Sequence, residues 1–292
     1  MASQFVFDAI GTHWVIDIYQ ELSEGEQQDI LGRIMARIEM FERAYSRFKE
    51  DSLVAQIARE AGTYELPDDS EQMLATYRIL YDVTDGRMTP LIGQVLVDAG
   101  YDKEYSLAQK KPLAPPRPWD EVMEYFRPHL TIHEPVQLDF GAAGKGYLID
   151  LVGAVLLGFG IHSFCVDAGG DMLHKSKEGV PLPVGLEHPD DTTQVIGVIP
   201  LLNKSLCGSA GNRRAWGNFH HIINPDTLSS PAHIRAVWVL ADNTLTADAL
   251  TTALFFVEAE VLIPYFTFDY FILYEDYSFK KSEGFIAELF IE

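Results

Sequence analysis

The chain has 292 residues, close to the upper limit for one hydrophobic core, so a single domain over 1–292 and two packed lobes meeting near 102–120 are both admitted. Hydrophobic residues make up 47% of it, which excludes a disordered chain. A formal charge of -21 repels a phosphate backbone and argues against nucleic-acid binding; a nucleotide held here needs local positive charge from a cation, from Lys or Arg, or from helix N-termini.

The two cysteines, Cys165 and Cys207, lack metal-ligand spacing and read as buried thiols in a reducing compartment. No segment has the roughly 18 uninterrupted apolar residues of a membrane span. The start, Met1 to Phe7, shows neither a basic leader nor a lipidation cysteine. As it stands, the sequence implies a cytoplasmic protein, the alternative being a periplasmic one trimmed of its leader.

In chain order, residues 5–19 alternate as a strand pair or bent strand broken at Gly11-Thr12. A helix is predicted over 24–48, where Ile30, Ile34, Ile38, Phe41, Tyr45 and Phe48 draw one stripe. A second covers 68–84 and ends at Asp85-Gly86. Residues 102–120, rich in Lys and Pro, predict a surface connection. Strands are expected over 129–140, then a helix from Ala143 to about 158, then a buried strand at 163–167 ending in Ala168-Gly169-Gly170-Asp171. Further strands are expected at 183–187, 194–200, 204–208, 219–223 and 235–241, a helix over 246–257, and a closing aromatic hairpin. Strands in runs, with helices between some of them, argue an α+β class.

Asp248 and Thr252 lie four residues apart on the predicted helix and share a face. One reading is a helix start, with Thr246 as N-cap and Asp248 favoured by the dipole. The other is a carboxylate and a hydroxyl that ligate one hard cation, as magnesium prefers. Asp139-Phe140-Gly141-Ala142-Ala143-Gly144-Lys145-Gly146 passes from strand to helix through small residues; it is either a tight turn or an anion seat with Lys145 as point charge. It has neither the Walker A nor the dinucleotide GxGxxG order. Ser209, Arg213 and Arg214 sit in a Gly- and Asn-rich loop that can receive a phosphate or simply be solvated. His220 and His221, expected on opposite faces of a strand, cannot chelate one metal together; one of them can face a site as acid or base, or both can be satisfied core residues.

Together these stretches resemble the ApbE family, the FAD:protein FMN transferases. The resemblance runs through Gly11-Thr12, Ser46-Arg47-Phe48-Lys49-Glu50-Asp51-Ser52, Gly86-Arg87-Met88-Thr89-Pro90-Leu91-Ile92-Gly93, Asp139-Phe140-Gly141 to Lys145-Gly146-Tyr147, Gly169-Gly170-Asp171, His221-Ile222-Ile223-Asn224-Pro225 and Ala247-Asp248-Ala249-Leu250-Thr251-Thr252. The motifs keep the family's order over residues 10–256, and that order carries the resemblance more than any one motif.

The resemblance implies an α+β, ApbE-like (T-fold-related) flavin-binding fold. It implies that FAD is split at its pyrophosphate, that FMN is joined by a phosphoester to a Thr or Ser hydroxyl of a target flavoprotein, and that AMP leaves. It assigns magnesium, with manganese as the alternative, to Asp248, Thr252 and the carbonyl of Ala142. It assigns FAD contacts to Ile10, Phe48, Arg87, Met88, Thr89, Asp139, Lys145 and Ile222, with Phe48 and Met88 able to pack on a ring. His221 matches the histidine proposed for the transfer, and Asp248 is counted with it as catalytic.

The departures are specific. The family's Asp-x-Thr-x-Gly-Pro becomes Thr89-Pro90-Leu91-Ile92-Gly93-Gln94, its Thr-Ser-Gly-Asp-Tyr loop becomes Gly208-Ser209-Ala210-Gly211-Asn212, and Asp-Pro-Arg-Thr-Gly becomes Asn224-Pro225-Asp226-Thr227-Leu228. Metal motifs stay intact while substrate-side segments drift. Two alternatives therefore stand beside the transferase: an FAD pyrophosphatase with water as acceptor, and a non-catalytic FAD-binding protein.

Overall fold

A computed structural model describes residues 3–211 and 215–290. The opening alternation makes a hairpin of Ser3–Ala9 and Thr12–Ile18, paired antiparallel. Ile10 and Gly11 form its turn at φ of 47° and 74°, the left-handed pair that matches strand twist. A β-branched residue at positive φ is strained, which marks Ile10.

Eight strands form the main sheet in the order Ser3–Ala9, Thr12–Ile18, Phe164–Ala168, Asp171–Lys175, Ser205–Ala210, Ile234–Ala241, Phe268–Tyr274 and Phe279–Lys281. Every neighbour pair is antiparallel. Alternation divides the side chains between two cores. Along Ser205–Ala210, Cys207 joins the large core with the helices, and Leu206 joins a smaller one with Val184, Leu186 and Ile199. The helices Glu24–Tyr45, Gly144–Gly158 and Thr244–Ala253 fill the first side. A small sheet of Leu182–His188, Asp191–Leu201 and Glu288–Leu289 covers the second. The class is α+β. Among the described residues, no helix is long and apolar enough to cross a membrane.

The Glu24–Tyr45 helix buries Ile30, Ile34, Ile38 and Phe41 as their spacing predicts, and opens on a capping box of Ser23 and Glu26. It ends at Tyr45, because Ser46 turns extended at ψ 115°, so Phe48 lies beyond the stripe. The segment 129–140 is not a continuous strand. It stops at Ile132, and after Pro135 the backbone bonds elsewhere: Val136 N–H to Ile57 C=O at 3.3 Å, and Asp139 N–H to Pro90 C=O at 2.8 Å. The strand expected over 219–223 shrinks to Phe219–His220, since the His220 ring takes the Ile222 N–H at 3.2 Å. The helix expected over 246–257 is Thr244–Ala253; Asn243, not Thr246, is its N-cap, accepting the Thr246 N–H at 2.8 Å. The connection 102–120 is irregular until the short helix Trp119–Val122.

Candidate active site

Two helices meet at their starts. Gly146, in the first turn of the Gly144–Gly158 helix, lies so close to the Thr244–Ala253 helix that a Cβ would stand 2.2 Å from the Thr244 carbonyl oxygen and 2.6 Å from Asp248 Cβ. That contact demands glycine. It lets the Gly146 N–H donate to Asp248 Oδ2 at 2.8 Å. In return, Asp150 accepts the N–H groups of Thr244 and Leu245, each at 2.8 Å. Each helix therefore supplies a carboxylate to the other's unsatisfied first turn. Burial raises the Asp150 pKa, and the Thr244 and Leu245 amides pull it back.

Asp248 is 5% exposed and Thr252, one turn on, is 9% exposed. Thr251 is engaged elsewhere than with either side chain: its hydroxyl donates to the Asp248 backbone carbonyl at 2.6 Å and meets the Ser209 hydroxyl at 2.8 Å.

The Asp139 loop is tied from three directions. Asp139 N–H bonds Pro90, Oδ1 accepts the Gly141 N–H at 2.7 Å, and Oδ2 accepts from Arg47 Nε. The Arg47 side chain is buried, donates through Nη2 to the Tyr101 carbonyl at 2.8 Å, and lies 4.3 Å over the Phe48 ring. Beneath the loop, the Tyr77 hydroxyl is buried and its pKa stands well above the usual value, first through desolvation, then through the charges of Asp139 and Asp248. The backbone groups of Ala142 and Ala143 pull it back.

Lys145 donates to Asp171 Oδ2 and reaches the Ala168 carbonyl at 3.5 Å. Asp171 is 2% exposed and also accepts the Gly208 N–H at 3.0 Å through Oδ1. The Ala168–Asp171 turn is therefore the seat of Lys145. The turn around Ile10 abuts it, since a Cβ on Gly169 would lie 2.3 Å from the Thr12 hydroxyl.

Arg87 pairs with Asp226 at 3.1 Å, joining the 86–90 segment to the Asn224-Pro225-Asp226 turn. Thr89 is buried and caps the short Pro90–Ile92 helix. Met88 and Ile222 are 2% and 3% exposed and belong to the large core, whereas Phe48 is 39% exposed. His220 and His221 are not on opposite faces: the strand ends between them and their rings meet edge-on at 6.1 Å. His220 accepts the Ile222 N–H at Nδ1, so its proton sits on Nε2 and is donated to the Pro231 carbonyl at 3.0 Å. Burial lowers its pKa and keeps it neutral.

Burial pushes the Cys165 thiol up to about 12 and the Cys207 thiol well above its ordinary value, so both are unreactive thiols. Arg213, Arg214 and Asn212 lie outside the described residues. Among those described, no group of three or more His, Cys, Asp or Glu converges on a metal position. Asp248 and Thr252 offer a carboxylate and a hydroxyl one turn apart on the same helix, oxygen donors of the kind a hard cation takes.

Sequence reasoning missed Tyr77, Arg47, Asp150 and Asp171 as parts of the site. Arg47 and Asp171 stood inside stretches already singled out; Tyr77 and Asp150 carried no signal beyond helical position.

Fold and site together define an α+β protein whose carboxylates lock two helix starts beside a seated lysine. The family model for the ApbE family matches residues 10–267, and the chain belongs to that family. It is 28% identical over 234 residues to an FAD:protein FMN transferase of Haemophilus influenzae, covering 72% of this chain and 67% of that one. It is 25% identical over 286 residues to an FAD:protein FMN transferase of Treponema pallidum, covering 84% and 76%. The fold superimposes on the flavin transferase ApbE from Vibrio cholerae with a TM-score of 0.80, 20% identity and 97% of both chains covered. For the ApbE protein of Thermotoga maritima the TM-score is 0.82, at 21% identity and 98% coverage of both.

Proposed function

We propose that this chain transfers the FMN moiety of FAD to a Thr or Ser hydroxyl of a target flavoprotein, releasing AMP. The observation that carries the proposal is the junction of the two helix starts, where Asp248 is fixed on the Gly146 N–H next to Lys145, itself seated on Asp171. The relatives' activity, given by their names, fits a site that combines oxygen donors with a fixed lysine.

The donors suit a hard divalent cation, and Asp248, Thr252 and the Ala142 carbonyl would hold magnesium or manganese. Bound there, the cation supplies charge neutralisation for a pyrophosphate. The chain's own residues do the rest. Lys145, steered by Asp171, gives a directed positive charge for phosphate oxygens. The Asp139 carboxylate, oriented by Arg47 and Gly141, offers an acceptor to an N–H edge of the flavin or adenine. His221, which matches the histidine the family resemblance assigns to the transfer, would take the acceptor hydroxyl's proton, while His220 bonds backbone groups through both ring nitrogens. In the reaction the acceptor oxygen forms a bond to the FMN phosphorus, the P–O–P bond breaks, and AMP departs with the electron pair.

The test is acceptor dependence. With FAD, magnesium and a flavoprotein bearing an exposed Asp-x-x-Thr segment, AMP release should match formation of a denaturation-stable fluorescent band. AMP released equally fast without acceptor would instead mean hydrolysis.

A further inference from the structure

The Tyr101–Lys110 loop carries no motif, yet it builds an aromatic surface at the edge of the site. Tyr105 stacks on Phe48 with ring centroids 5.7 Å apart and planes at 2°. Tyr101 meets both rings edge-on, at 6.3 Å and 5.5 Å, and stacks in turn on buried Trp216 at 5.7 Å. Arg47 connects this cluster to the site, lying over Phe48 while its Nε donates to Asp139. The loop is held in place by Asp102, 3% exposed, which accepts from Lys110 at 2.6 Å and from the Glu104 N–H at 2.9 Å. Tyr105 itself adopts φ 50°, a left-handed conformation that a tyrosine rarely takes.

These contacts bear on what Phe48 can offer a ligand. Its ring is already engaged by the Arg47 guanidinium and by Tyr105. The larger open aromatic surface is that of Tyr105, 52% exposed against 39% for Phe48. An exposed ring held at a strained φ by a buried carboxylate, and continuous with a cluster anchored on Asp139, serves a purpose that burial does not supply.

We infer that Tyr105 is a direct binding residue for FAD, its ring being the platform on which a planar ring of the dinucleotide stacks, with Phe48 as its backing. The inference deepens the transferase reading and rests on it. Isoalloxazine and adenine share the stacking chemistry, and competition distinguishes them.

The experiment is equilibrium titration of FAD, followed by flavin absorbance, on the full-length protein and on Tyr105→Ala, Tyr105→Phe and Leu107→Ala. Tyr105 is exposed, so its replacement spares the core. Tyr105→Ala should raise the Kd about tenfold, while Tyr105→Phe stays within about twofold of wild type. Leu107→Ala, in the same loop and also at positive φ, should leave the Kd unchanged. Competition against FAD then assigns the ring: a weakened FMN with unchanged AMP assigns isoalloxazine, and the reverse assigns adenine. Wild-type affinity in Tyr105→Ala, or equal weakening in Leu107→Ala, overturns the platform alone. A wild-type protein that binds no FAD overturns the transferase reading with it.

Discussion

At the scale of single residues, Gly146 constrains the site most tightly. A methyl group there would meet the Thr244 backbone and Asp248 at 2.2–2.6 Å, and both neighbours belong to a packed helix. Gly146→Ala should therefore push the helices apart, cost about 1–3 kcal/mol in denaturant unfolding, and loosen the Asp248 bond. Gly32, in the Glu24–Tyr45 helix, provides the contrast, because nothing lies within 4 Å of its missing Cβ. Gly32→Ala should stabilise by about 0.5–1 kcal/mol. Equal effects from the two substitutions would mean that the close approach at Gly146 does not matter. The same scale sorts the histidines. His220 is bound at both nitrogens to backbone, and its burial makes the charged form unfavourable, so it acts as a structural wedge that ends a strand.

At the scale of elements, the site depends on two helices that cap each other. Neither the Gly144–Gly158 nor the Thr244–Ala253 helix has a carboxylate in its own cap position; each borrows one from its neighbour, Asp248 in one direction and Asp150 in the other. Asp150→Ala strips two buried amides of their acceptor and should cost about 2–4 kcal/mol, whereas Asn243→Ala, an exposed cap of one bond, should cost about 1 kcal/mol. Urea unfolding of both variants checks the order; a smaller loss in Asp150→Ala than in Asn243→Ala would contradict reciprocal capping. These links also show what the sequence made legible. Helix periodicity at Ile30, Ile34 and Ile38 and the apolar run of 235–241 depend on neighbours in the chain, and both read correctly. The stop at Ile132 and the N-cap at Asn243 depend on which distant groups take the backbone's hydrogen bonds, and both were misread. The Arg47–Asp139 and Asp150–Thr244 pairs join residues about ninety apart, so no local pattern could signal them.

At the scale of the whole molecule, a chain of net charge -21 keeps Asp139 and Asp171 paired with Arg47 and Lys145, and holds Asp248 on the Gly146 N–H. Such a field is unfavourable to an anion unless positive charge is brought in. Lys145 supplies one such charge. On the proposed function, a cation held by oxygens of Asp248, Thr252 and Ala142 would supply more. The sheet makes this arrangement possible: its strands bring the 168–171 turn, Gly208 and the first hairpin to one edge of the helix pair, so segments far apart in sequence converge. The most direct measurement is in-gel flavin fluorescence of a denatured acceptor flavoprotein after incubation with FAD and magnesium, comparing the wild-type chain with Asp248→Asn, whose amide oxygen keeps the Gly146 bond but loses the charge. Labelling by the wild type and a loss of about 100-fold or more in Asp248→Asn are expected; labelling by Asp248→Asn at the wild-type rate would contradict the role of the Asp248 charge.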